Sequence, residues 1–302
     1  MNSLFSLTKR HCKLFFKDKG MFFCALITPL ILLVLYITFL GNLFEQSYVD
    51  AFAGIQVSQS IINGLTGWQL FSALLSVSCV TVAFCSNMIM VQDKFTGARK
   101  DLLITPLKKS KLATSYYIAT FISTLLICLT AMVACYIYLA IVGWYMSFGD
   151  CMLVLFDIFL LTLFGTALST LVSHFLTTQG QLSAVSAIVS AMYGFISGAY
   201  MPIASFGTGL QKVLMFLPST YCSSIIRNHS MRGAFAALEK SGIPASAIQS
   251  IKDGIDCNLY FFGTKVSLGV MYAVIVGAII VLISIYLILN TIRKKSKTKL
   301  VK

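Results

Sequence analysis

The sequence predicts an all-α membrane protein: one domain over 1–302 with six transmembrane helices, an N-terminal amphipathic surface helix, and a short re-entrant outer helix between spans five and six. Three observations predict it. The 302 residues are 58% hydrophobic and 11% charged, against about 25% charged in soluble domains, and the mean hydropathy is +0.86. Long uncharged runs alternate with short basic clusters. Each run converts into crossings, because a helix spanning about 30 Å of hydrocarbon needs roughly 20 residues.

The chain begins with Leu4, Phe5, Leu7, Leu14, Phe15 and Phe16 interleaved with Lys9, Arg10, Lys13 and Lys17, the pattern of a basic amphipathic helix on a membrane surface. Span one follows at about 21–43, too long for a signal peptide and without a small-residue cleavage site. Span two is placed at about 68–91, after a polar approach containing Gln56, Gln59, Asn63, Gly64 and Gly67. Span three, about 115–142, ends at the interfacial aromatics Trp144 and Tyr145. Span four takes 151–175. The polar hinge Thr177 to Gln181 then allows span five at 182–200. Span six, 266–292, is charge-free throughout.

The excess of 23 Lys+Arg over 10 Asp+Glu, net +13, is a topology signal. Basic residues gather before span one, in the loop after span two (Lys94, Arg99, Lys100, Lys108, Lys109, Lys111) and in the tail (Arg293 to Lys302), while the short loops on the opposite side have none. Both termini are therefore expected in the cytoplasm and 201–264 outside. In that outer segment Pro202 and Pro218 bracket an apolar stretch suited to a dipping helix, and 234–240 and 245–253 read as two further short helices. A nucleic-acid role is disfavoured, since no soluble unit exists to carry a basic face.

Enzyme chemistry finds few candidates. The one histidine read as membrane-embedded, His174, lies near the inner end of span four, whereas the most suggestive serine, Ser197, lies near the outer end of span five. His11 and His229 fall on opposite sides. No GxxxxGK[ST] string occurs, so ATP would have to be bound by another chain. The nine cysteines show no metal spacing and read as packing residues. Cys222 and Cys257, the two expected outside the hydrocarbon on the outer face, form a candidate disulfide pair.

Asp157 is the single carboxylate inside an expected span, where its cost demands a polar interior or a helix interface. The stripe Thr162, Thr166, Ser169, Ser173 lies on a different face of the same helix. Span five is rich in small residues. Ala187/Ala191 and Gly194/Gly198 have the spacing that lets helix backbones approach, at a helix interface or pathway wall. The loop after span two combines charge with Phe95, Leu102, Leu103, Ile104 and Leu107, too apolar for a solvated loop and suited to a docking surface.

This loop resembles that of the ABC-2 type permeases, the membrane subunits of a class of ABC exporters, through Gly97, Leu102, Leu103, Thr105 and Pro106. The surface helix, the six spans, and Gly198-Ala199-Tyr200-Met201-Pro202 followed by a dipping helix ending at Leu217-Pro218 extend the resemblance over nearly the whole chain. The acidic residue common just after the loop glycine is absent, its neighbourhood here being Ala98-Arg99-Lys100.

The resemblance implies a cytoplasmic coupling helix built from Phe95, Gly97, Arg99, Lys100, Asp101, Leu102, Leu103 and Pro106. It implies a second permease subunit, and ATP-binding subunits that carry ATP and Mg, with no cofactor on this chain. It also implies outward transport. The competing reading, an ion-coupled secondary transporter or channel, would usually show several intramembrane charges and inverted repeats.

Overall fold

The computed structural model describes residues 3–52 and 57–298; Gln56 of the polar approach and the tail lysines Lys299 and Lys302 lie outside the described residues. The fold is mostly helical, and among the described residues five helical stretches are long and apolar enough to cross a membrane.

Helix α1 (Ser3–Lys17) buries Leu7, His11 and Phe15, which are spaced four apart and so share one face, against the bundle. Asp18 caps α2 (Lys19–Leu35), accepting from the Met21 amide at 3.1 Å. A π-turn (Tyr36–Leu40) offsets α2 from α3 (Gly41–Ala51) within the first crossing stretch.

Helix α4 (Gln59–Ser86) forms the core. It continues into α5 (Met88–Phe95), and 94% of the most apolar 18-residue window of this stretch is buried within the chain, against 17% of the corresponding window in the last helix. It packs against α2, against α7 (Lys109–Val142), α8 (Phe148–Phe175) and α9 (Gln179–Ile196), and against α11 (Pro218–Lys240).

The polar approach to span two is thus helix, nine residues earlier than the expected start at 68. Its glycines serve close packing: a Cβ on Gly64 would stand 2.3 Å from the Tyr145 ring, and one on Gly67 2.8 Å from Leu139. Trp68 donates from Nε1 to the Gly143 carbonyl at 3.2 Å and meets Trp144 edge-on, joining the end of span three to this core.

Between α5 and α7 lies the short α6 (Ala98–Ile104). Helix α8 opens with a capping box, Ser147 with Asp150, and crosses α4 where a Cβ on Gly165 would approach the Cys79 carbonyl oxygen to 2.5 Å. Helix α9 occupies the place of span five but has 18 residues and is not among the five crossing stretches. It stops at Ile196 because Gly198 turns the chain at φ +69.

The outer segment departs most from expectation. After a 3-10 turn (Ile203–Ser205) and α10 (Thr208–Leu214), Pro218 at the first helical position starts the 23-residue α11, where sequence pattern gave only a short helix over 234–240. Its polar side chains hid it, because they are satisfied inside the fold: Thr220 donates to the Leu214 carbonyl at 2.8 Å and Asn228 to the Cys257 carbonyl at 2.6 Å. Helix α12 (Ala245–Gly254) matches the expected 245–253.

An unexpected two-stranded hairpin follows, β1 (Tyr260–Phe261) pairing antiparallel with β2 (Thr264–Lys265), turned by Gly263 at φ +84. Helix α13 (Leu268–Thr298) ends the described chain. The hydrophobic side chains form two clusters. The smaller, built on Leu7, Phe15, Ile89, Leu112, Tyr116 and Tyr286, underlies α6.

Candidate coupling segment and buried polar networks

Helices α5 and α6 meet at Gly97, whose φ of +87 is the left-handed conformation that glycine adopts without a Cβ penalty. The next break is set by Pro106, which holds Thr105 extended at φ −71, ψ 158 and so ends α6. Within this frame Leu102, Leu103 and Leu107 are half-buried against the chain's own smaller cluster. Leu102 and Leu103, expected to face a partner, thus share their surface between the chain's own cluster and solvent. The apolar side chains standing free are Phe95, 59% exposed, and Ile104, 84% exposed. Lys100, Asp101 and Pro106 are exposed and Arg99 partly so.

Two consecutive residues fasten the segment to the bundle. Asp93, buried at the end of α5, accepts from Arg10 Nη1 at 2.9 Å and from the Tyr116 hydroxyl at 2.6 Å, joining α1, α5 and α7. Lys94 Nζ donates to the carbonyls of Ser173, His174 and Leu176 at 2.6, 2.9 and 3.0 Å. These belong to the C-terminal turn of α8 and its exit, where backbone carbonyls lack helical partners and the helix dipole favours a cation.

His11 stacks on Tyr116 with ring centroids 4.1 Å apart, and its Nδ1 lies 3.1 Å from Arg10 Nη1. Burial lowers the His11 pKa to about 4, Asp93 pulling it up and Arg10 down. The neutral ring accepts at Nδ1, since a guanidinium has only donors. Sequence reading took Lys94 as a topology charge and one of the charges of the docking segment, and Asp93 only as a nearby acid. The signal available was an Asp-Lys pair placed immediately before the Gly97 turn.

The second network surrounds Asp157, fully buried in α8. Its Oδ2 lies 2.6 Å from His229 Nδ1 on α11, and its Oδ1 accepts from the Tyr272 hydroxyl on α13. Three helices thus converge on one carboxylate, which occupies a helix interface. His229, expected in the outer segment away from the spans, lies inside the bundle, paired with Asp157. The stripe Thr162, Thr166, Ser169, Ser173 is fully buried too, with Thr162 lying 3.7 Å from Cys79 Sγ on α4, so both faces of α8 serve packing.

A third cluster holds the outer turn. Arg227, 2% exposed, donates to the Gly198 carbonyl at 2.8 Å and to the Ile255 carbonyl, and lies 3.6 Å from Asp256. Asp256 in turn accepts from the Ile203 amide at 2.6 Å. Burial raises the Asp256 pKa while Arg227 and the amides of Ile203 and Ala204 oppose it.

The four small residues of the fifth stretch divide. Gly194 and Gly198 are buried, Gly194 beneath the Tyr200 ring, whereas Ala187 and Ala191 face outward beside Ser183, Ala184 and Ile188. Cys222 and Cys257 are both buried free thiols.

Comparison with known proteins gives one match. The family model of the ABC-2 type transporters covers residues 2–229, more than half of the chain. No curated protein and no solved structure matches.

Proposed function

The chain belongs to the ABC-2 type transporter family, and on that premise we propose that it is the permease subunit of an ABC exporter, moving a substrate outward with ATP hydrolysed on a separate subunit. In this reading α9 is the fifth of six spans, both termini and the α5–α6 segment are cytoplasmic, and 201–264 lies outside. The basic clusters flanking the spans support that orientation. ATP and Mg belong to the nucleotide-binding partner, and the outward face of α9 around Ala187 and Ala191 suits close approach of a second permease subunit.

The observation that carries the reading is the contrast within 93–104. Asp93 and Lys94 are fastened to α1, α7 and α8, while Phe95 and Ile104 stand free on the same short segment. A surface of this kind can receive a partner and pass its displacement to three helices. Burying a side chain such as Ile104 against a partner would contribute roughly 1.5–3 kcal/mol.

Phe95→Asp with Ile104→Asp tests it, because neither side chain supports the chain's own core. The expected result is normal membrane insertion and thermal stability with loss of ATPase-subunit co-purification. Retained co-purification and export by the double variant would overturn the assignment.

A further inference from the structure

We propose that the large cleft between the far half of the first crossing stretch and α12 is a binding site for the acyl chain of an amphiphile. The cleft has a volume of about 980 Å³, roughly three times any other cavity described here, the others being about 340 Å³ or less. One wall runs from Leu35 through the π-turn to Ala51, and the opposite wall is formed by α12 and the turn after α9.

Depth fixes the class of ligand. Counting from Lys19 at 1.5 Å per residue, the far boundary of about 30 Å of hydrocarbon falls roughly 20 residues on, at the π-turn. The cleft therefore begins just inside that boundary, at Leu35, and runs outward past it, so that an acyl chain of the outer leaflet meets its inner end. Among the described residues lining it, none is Asp, Glu, Lys, Arg or His. Its phenols are turned into the protein: Tyr48 donates to Gln69 at 2.6 Å and Tyr200 to the Ser190 carbonyl at 3.3 Å. Apart from Ser47, Gln69, Ser205 and Ser250 the remaining lining is mostly carbon, with Phe39 64% and Phe195 50% exposed.

With Ser47, Gln69, Ser205 and Ser250 as the few polar side chains among apolar ones, the volume offers water little to bind and favours a hydrocarbon chain. The far wall is shaped for a slender chain, since Ala247, Ser250, Ile251 and Gly254 recur at helical spacing and three of the four are small. The charge-free lining gives no preference for an anionic or a cationic headgroup. The amphiphile is thus defined by its chain, whether a resident bilayer lipid or an exchanging single-chain molecule. The site does not depend on the chain being an exporter.

Photolabelling in lipid nanodiscs tests this. One arm carries a diazirine acyl chain on phosphatidylcholine in the disc; the other adds diazirine lysophosphatidylcholine to discs of unlabelled lipid. Label at Phe39, Leu43 and Phe195 is expected to exceed that at Ile280 and Val281 of α13, which face outward without a cleft, by about tenfold in at least one arm. Enrichment in the first arm identifies a resident lipid, and in the second an exchanging amphiphile; either supports the site.

Ala247→Trp, or Ser250→Phe should the first variant lose its thermal transition, fills the cleft and is expected to abolish the enrichment while leaving α13 labelling unchanged. Equal labelling at cleft and α13 in both arms would overturn the proposal, as only surrounding lipid would then have been sampled. Cross-linking of the cleft residues to a second copy of the chain in place of lipid would overturn it too.

Discussion

Replacing His229 by leucine removes the imidazole that faces Asp157 and leaves a carboxylate with no exposure and one remaining donor, Tyr272. Breaking a buried pair from one side costs about 3–5 kcal/mol, because the surviving charge stays desolvated without compensation. Removing both partners with Asp157→Leu and His229→Leu, and adding Tyr272→Phe so that no hydroxyl is orphaned, replaces the network by apolar packing. Such exchanges are neutral or stabilising by roughly 1–4 kcal/mol.

The single variant is therefore expected to be markedly less stable than the triple variant, although the triple variant changes more atoms. Denaturant titration of the purified chain in detergent, read as a thermodynamic cycle, gives the coupling. A His229→Leu chain within about 0.5 kcal/mol of the parent, or strictly additive effects across the cycle, would refute mutual compensation. Export by the triple variant decides a second point. Asp157 meets two side chains of its own bundle, so transport is expected to survive with the fold. Lost export with intact stability would place Asp157 on the substrate's path.

Lys94→Met withdraws the cation from three carbonyls at the end of α8 and is expected to cost about 1.5–3 kcal/mol and to raise hydrogen exchange at 173–176; unchanged exchange there would count against the clamp. The folded pKa of His11, near 4, lies below its ordinary value of about 6.5, so its contribution is complete above that value and falls away as pH drops towards 4, the unfolded chain binding the proton first. His11→Phe should flatten stability against pH in that window, and an unchanged profile would remove His11 as its source. Gly165→Ala places a Cβ against the Cys79 carbonyl and is expected to cost about 1–3 kcal/mol by forcing α4 and α8 apart, seen as a lowered unfolding midpoint; a parent-like midpoint would show that the crossing tolerates the methyl group.

The crossing helices were legible because hydrocarbon demands long apolar runs, and a run of that length has few other uses. Where helices pack on each other instead of on lipid, the signal fades. Gly64 and Gly67 look like punctuation in sequence, yet in the fold they are flat ground under Tyr145 and Leu139. Helix α11 was lost for a related reason. Arg227 and His229 read as surface residues until Gly198, Ile255 and Asp157, distant in sequence, arrive to supply their hydrogen-bond partners. The candidate coupling segment was located by its mixture of charge and apolar residues, but its orientation was not, since adjacent leucines carry no mark of which core they join.

That orientation bears on how the segment would work. A short helix pressed by a partner transmits force only if it is held on both sides of its flexible point, and here the flexible point is Gly97. On its N-terminal side Asp93 and Lys94 grip α1, α7 and the end of α8; on its C-terminal side Leu102, Leu103 and Leu107 rest on the smaller cluster. Displacement at Ile104 would therefore tilt α6 against that cluster while the polar grips carry the rotation of α5 into the bundle. The acidic residue missing after Gly97 is then no deficit for this half of the task. Asp93, four positions earlier, bonds inward to the chain's own Arg10, which leaves Arg99 and Lys100, with the single acid Asp101 beside them, as the charges offered to a partner. The surface on that partner complementary to α6 should accordingly be acidic around an apolar socket for Ile104.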